Sequence, residues 1–341
     1  MKAALSAMSV LLVLAVGCGA ISQPRVAAQP SDVAQLRTIR DVALPGDTSR
    51  FDYESIDPQA QRLFIAHLGA GSVVVYDTQQ SQVIAEIPGV PGVHGVIAVS
   101  ELGRVYATAT SSRQIAAIDT ASLSVVGMAQ GDGYPDGLAY APDVGKVYVS
   151  DEQDGNETVV DAQSNQRLGA ISVGGEAGNT QYDSASHRIY VAVQTRNQLV
   201  AIDPTTDQVV ERHDTPGCDH PHGLLIDSEL QRAFVACQGS DKLVVLDMTN
   251  WQVVSTQDVG RGPDVLAIDP GLHLVYVAAE NGPLAVFRND TSGVARIAFQ
   301  SVGPNGHVVA VDPVTHSIYM PLANVNGQPV LRELAIDLPG G

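Results

Sequence analysis

Short, continuous apolar runs bounded by polar turn residues recur along the chain, and no stretch after residue 35 carries a long apolar stripe at helical period. That pattern predicts buried strands rather than helices. Seven of the runs carry an aromatic side chain: "RLFIAH", "RVYATA", "KVYVSD", "RIYVAV", "RAFVAC", "LVYVAA" and "SIYMPL". Their aromatics, Phe64, Tyr106, Tyr148, Tyr190, Phe234, Tyr276 and Tyr319, are spaced by 42, 42, 42, 44, 42 and 43 residues. A period of this length marks a repeat architecture.

Each period holds further matching parts. A strand and an Asp-Pro type turn precede the aromatic, as in "SIDPQAQR", "YAPDVGK", "AIDPGLHL" and "AVDPVTHS". Proline presets φ and the aspartate bonds nearby backbone, so these segments suit tight turns. A third strand follows, ending as "VVVYD", "IAAID", "LVAID" or "LVVLD"; in the sixth unit "LAVFR" places Arg288 where the aspartate is expected. A fourth strand such as "QVIAEI" or "QVVSTQDV" precedes a Gly/Pro loop. Four short strands per unit, seven times over, predict an all-β chain folded as a seven-bladed β-propeller of four-stranded blades. After Tyr319 there is room only for "VLRELAI" as a third strand, so "AQLRTIRDVAL" at residues 34–44 is expected to complete the last blade. Such a closure removes an exposed edge. The propeller is a single domain over 34–341, with 21–33 as a linker.

With its "VYV" and "VVVYD" strands and its "PDG" loop, the repeat resembles the YVTN-type propellers of bacterial YncE-like proteins, over essentially the whole chain after the N-terminal segment. The resemblance implies the propeller fold. For function it implies a range: binding platforms, adhesion or surface-layer modules, lactonases and metal-dependent lyases.

The first twenty residues change the expected location. "MKAALSAMSVLLVLAVGCGA" has one lysine and then an apolar run too short for a comfortable membrane span, ending in small residues. It reads as a bacterial export signal over 1–20. Two processing readings stay open. "AVGC" resembles a lipoprotein box that would make Cys18 the lipidated residue, and cleavage after Ala20 or Ala28 is the alternative. Either places the protein in the periplasm or at the cell surface, with membrane contact only through a lipid anchor. The net charge of −18, from 19 basic and 37 acidic side chains, argues against nucleic acid as a partner. A monomer is expected, and a protein partner stays open.

In a propeller, the loops joining one blade to the next converge around the axis on one face, where ligands bind. Counting back twelve from each aromatic gives Asp52, His94, Asp136, Gly178, His222, Asp264 and His307. From the fifth blade round, imidazole and carboxylate alternate through six positions, and Gly178 is the gap. The six are candidate ligand-binding residues. His222, Asp264, His307, Asp52 and His94 are also candidate ligands for a divalent metal ion, since imidazole and carboxylate suit such ions and orient one another. One ion cannot span the ring, so an arc is expected: Asp264, His307 and Asp52, or His307, Asp52 and His94. The competing reading is structural, with each residue tying down its own loop.

Weaker rim candidates are His67, Asp151, Cys237, Tyr134, Glu152, Glu280, Asn179 and Asn305, with Arg50 and Arg261 as anion partners. His187, His273 and His316 fall in turns of the opposite face and read as solvated. "GCDHPHG" at 217–223 carries Cys218, which strand pairing brings close to Cys237. A disulfide is expected in an oxidising compartment, and a thiolate–metal arrangement with His220 or His222 is the alternative. No nucleotide fingerprint, phosphate loop or haem-attachment motif is present, so neither a nucleotide nor haem is expected. "NET" at Asn156 and "NDT" at Asn289 match a glycosylation acceptor but are discounted beside a bacterial signal. The reading is an exported propeller that binds a small ligand or a divalent ion at its tunnel mouth. A metal-dependent enzyme of lyase or lactonase type and a cell-surface scaffold are the alternatives.

Overall fold

Each of the seven repeat aromatics lies on the second strand of its sheet and pairs with the residue nine places earlier on the first, from Phe64 with Ser55 to Tyr319 with Ala310. All seven rings are buried. This comes from a computed structural model that describes residues 33–339. Residues 1–20 with Cys18, and all but the last residue of 21–33, lie outside the described residues.

Seven four-stranded antiparallel sheets form the blades of a ring. The first blade runs through Glu54–Asp57, Arg62–His67, Ser72–Asp77 and Gln82–Pro88. The first strands of the next blades are Val93–Val99, Pro135–Ala141, Ala177–Asp183, Pro221–Asp227 and Pro263–Asp269, and in the last blade the strand shrinks to Ala310–Val311. These strands pack against one another around the axis. Second and third strands are buried on both faces, as in Arg104–Ala109 and Gln114–Asp119, because a blade lies on either side. Their near-continuous apolar runs reflect that. Fourth strands such as Ser124–Gln130 alternate exposed and partly buried residues, as expected of strands with one free edge.

Closure follows the expected course. Gln35–Ala43 pairs antiparallel with Gln328–Asp337, its register slipping once between Thr38 and Arg40. Arg332 bonds Asp41 at 2.6 Å across this seam, and Arg37 meets Asp337 at 3.2 Å. No helix among the described residues is long and apolar enough to cross a membrane.

On the face where first strands end, Asp57, Asp183, Asp227, Asp269 and Asp312 are buried and accept backbone N–H groups from the turns that follow. Of the turn histidines there that the sequence places in solvent, His187 and His273 are exposed and His316 is half-buried. His316 reaches buried Asp269 at 2.7 Å, and His187 bonds Asp143 of the preceding blade. Both, like His273, occupy positive-φ turn positions.

Candidate functional site

Five of the seven ring positions are set by a bulge that recurs from blade to blade. In the five blades from Val93 to Asp269, two residues of the first strand oppose one of the second, as where His222 and Gly223 stand against Ala236 between the pairs Pro221–Cys237 and Leu224–Val235. The extra residue falls beside His94, Asp136, Gly178, His222 and Asp264. A bulge re-aims its side chain, here toward the axis. The next position must stay small in most of these blades. A Cβ on Gly95 would lie 2.2 Å from the Asp136 carbonyl, and one on Gly223 would lie 1.9 Å from that of Asp264. Gly178, the gap in the ring, is itself pressed on the His222 carbonyl, 2.8 Å from where its Cβ would be.

The ring side chains do not stand in solvent as an open rim would have them. Asp52, Asp136, His222, Asp264 and His307 are all at least nine-tenths buried. Tyr53 makes the floor: it lines both the mouth and an inner channel of about 220 Å3, and its hydroxyl crosses the axis to donate to Asn179. Above it opens a cleft of about 690 Å3 lined by Arg50, His94, Tyr134, Asp136, Glu152 and His222 among others.

Of the two expected arcs, the structure assembles Asp52, Asp264 and His307. One donor atom from each lies within 4.8 Å of the others, about two metal–ligand bond lengths. His307 Nδ1 donates to the Asn305 carbonyl at 3.0 Å, which leaves the Nε2 lone pair free, and Nε2 is buried without a partner. That is the second-sphere arrangement that prepares a histidine for a metal. Asp264 Oδ1 meets His222 Nε2 of the preceding blade at 3.3 Å. His94 is turned aside: Nδ1 meets Gly92 O and Thr110 Oγ1 at 2.9 Å, Nε2 takes the Tyr134 hydroxyl at 2.9 Å, and Asp52 is 3.9 Å off.

Crowded acids in a buried ring cannot all stay charged. Burial, then Asp264 and Asp136, hold the Asp52 carboxyl well above the usual range. Asp136 is pushed up to about 6, mainly by burial, against the pull of His94 and His222. Asp264 goes the other way: burial opposes ionisation, but His222, His307 and Arg50 together hold it below its usual value. His222 is the counterpart, pushed up to about 9 by Asp264, Asp136 and Glu152 in spite of its burial. Arg50 lies over the triad, with Nη1 on Glu280 Oε1 at 2.7 Å, Nη2 at 3.6 Å from Asp264 and Nε at 4.0 Å from Asp52.

The weaker candidates separate by role. Asp151 is buried and accepts the backbone N–H groups of Asp132 and Tyr134, so it shapes the loop that carries Tyr134. His67 stacks on Phe51 and meets Ser49 at 3.1 Å, under the loop that carries Arg50. Glu152 accepts from Gln194 at 2.8 Å at the cleft wall. Arg261 does not line the cleft. Cys218 and Cys237 are bonded to each other, with Cα atoms 5.1 Å apart, so neither thiolate is available with His220 or His222. Sequence reasoning missed Tyr53, Thr110, Ser111, Arg113 and Gln238 as cleft residues. Only Tyr53 left a trace, as an aromatic next to a ring position but outside the repeat of aromatics.

The fold and site define a seven-bladed propeller whose mouth is a buried acid–imidazole ring. No family model and no curated protein matches the chain. Among solved structures it is similar to a chain of Kuenenia stuttgartiensis hydrazine synthase, with a TM-score of 0.72 at 12% identity, over 89% of this chain and 98% of that one. At such identity the likeness establishes the propeller fold alone.

Proposed function

We propose that the chain is an exported, YncE-like propeller that holds a divalent metal ion at its tunnel mouth and offers it to a small molecule in the cleft. One observation carries this reading. Asp52, Asp264 and His307 converge within 4.8 Å while His307 Nε2 stays buried without a partner. Leaving such an atom unpaired costs about 1–3 kcal/mol, a cost that an ion would offset. Export agrees with the short apolar run at the N-terminus, and the Cys218–Cys237 bond suits an oxidising compartment. Any membrane contact would run through a lipid on Cys18, and the net charge of −18 disfavours nucleic acid.

The test is metal analysis of untagged protein purified without chelators, followed by titration with Mn2+, Zn2+ and Ca2+. One ion per chain is expected, lost in His307→Ala. Absence of an ion from the purified protein, together with no binding of any of the three metals, would end the metal reading and leave the scaffold reading. A second reading, a metal-dependent enzyme of lyase or lactonase type, is favoured by the cleft of about 690 Å3 beside the triad, which has room for an organic substrate.

A further inference from the structure

Arg50 and a bound ion would contend for the same two carboxylates. The guanidinium lies 3.6 Å from Asp264 and 4.0 Å from Asp52, and its close contact is Glu280 at 2.7 Å. Its side chain is 38% exposed and lines the cleft. Once an ion has drawn Asp52 and Asp264 to itself, Glu280 is the one partner left to Arg50 among these three acids. A guanidinium carries five N–H donors in a fixed fork suited to carboxylate and phosphate oxygens. It would then stand beside two added positive charges with most of its donors turned to the cleft. The triad supplies three ligands to the ion, so positions on the metal also stay open toward the cleft. Both vacancies call for the same chemistry, an oxygen anion.

We infer that the mouth takes its ion together with a small oxyanion, a carboxylate or phosphate ester, of which one oxygen completes the coordination of the metal and another pairs with Arg50. The inference rests on the metal reading above and deepens it by naming the ligand class. Arg50 is then a resident stand-in cation. It keeps the acids from facing one another before loading and becomes the anion-recognition group afterwards. Ion and anion bind cooperatively, and by linkage each tightens the other by the same factor.

The experiment measures Mn2+ affinity of the full chain, by the electron spin resonance of free Mn2+, alone and with succinate or monomethyl phosphate. In wild-type protein at least one of the two anions should tighten Mn2+ binding by about five- to a hundred-fold. Succinate alone as the effective probe assigns carboxylates, and monomethyl phosphate alone assigns phosphate esters. In Arg50→Gln, Mn2+ by itself should bind more tightly than to wild type, because its competitor is gone, and the response to either anion should vanish. Arg50→Lys keeps the charge without the fork and should retain part of the response; it carries the comparison if Arg50→Gln does not fold. Mn2+ binding that ignores both anions, or an anion response that persists in Arg50→Gln, overturns the inference while the metal reading stands. No Mn2+ binding to wild type, with or without anion, removes both.

Discussion

The two faces of the propeller carry two rings of buried aspartates, built from the same repeat and used in opposite ways. On the turn face, Asp227 accepts the N–H groups of Glu229 and Leu230 at 3.0 Å with one oxygen and the Asn289 amide at 2.6 Å with the other. Asp57, Asp183 and Asp312 are bonded in the same manner. At the mouth, Asp52, Asp136 and Asp264 are equally buried, yet Asp136 Oδ1 has no partner and Asp264 Oδ1 meets only the His222 ring, 3.3 Å away. The electrostatics follow. Although burial opposes it, Ser186 and its neighbours hold Asp183 below its usual value, while burial and the adjacent acids hold Asp52 well above. Carboxylates that tie down turns are satisfied locally. Those left wanting across an axis are the ones a ligand can complete.

The comparison can be broken in several places. The largest expected effect concerns the brace peculiar to the mouth, the disulfide that closes residues 218 to 237 beside His222. Replacing both cysteines by alanine should cost about 3 kcal/mol in urea unfolding, the loop-entropy value for a span of this length. An unchanged midpoint would mean that the bulged strand holds the loop unaided.

Next in size is the exchange of roles between the two faces. Asp52→Asn should weaken Mn2+ binding about a hundredfold, or 2.8 kcal/mol, while the urea midpoint holds or rises. Asn keeps the shape of a side chain whose ionisation burial and the neighbouring acids oppose. Asp227→Ala should do the reverse, costing about 2 kcal/mol of stability for the lost turn bonds and leaving Mn2+ affinity alone. Equal loss of stability at both positions would make the mouth ring structural after all.

Much of this was legible in the sequence, for an identifiable reason. The aromatic spacing counts residues along a strand that is buried on both faces, so the blades, the closure and the ring positions all followed from it. Of the two arcs the count allowed, it could not say that Asp264, His307 and Asp52 are the ones that meet, because that depends on how His94 is drawn aside by Thr110 and Tyr134. The seat of Arg50 and the floor formed by Tyr53 depend on contacts across the axis, between blades distant in the chain. Arg288 in the sixth unit marked a real departure with a simple resolution: the strand Pro283–Asp290 runs two residues longer and Asp290 makes the turn bonds instead. The disulfide was legible because strand pairing alone brings Cys237 opposite Pro221.

Glu157 sharpens the comparison from outside both rings. It lies on the strand Asn156–Asp161, fully buried, with neither carboxylate oxygen hydrogen-bonded. The nearby Thr180 hydroxyl is directed at the Tyr190 carbonyl, 3.4 Å away, instead. Burial, then the neighbouring Asp151, hold the Glu157 carboxyl well above its ordinary value of 4.5. The unfolded chain therefore releases this proton at lower pH than the folded one does. Stability from this group is complete below about pH 4.5 and is lost as pH rises toward the folded value. Between pH 5 and 6 the wild type should lose stability relative to Glu157→Gln, which cannot ionise. Urea unfolding of both proteins at the two pH values measures this directly. Parallel pH dependence would show that Glu157 is partnered in solution.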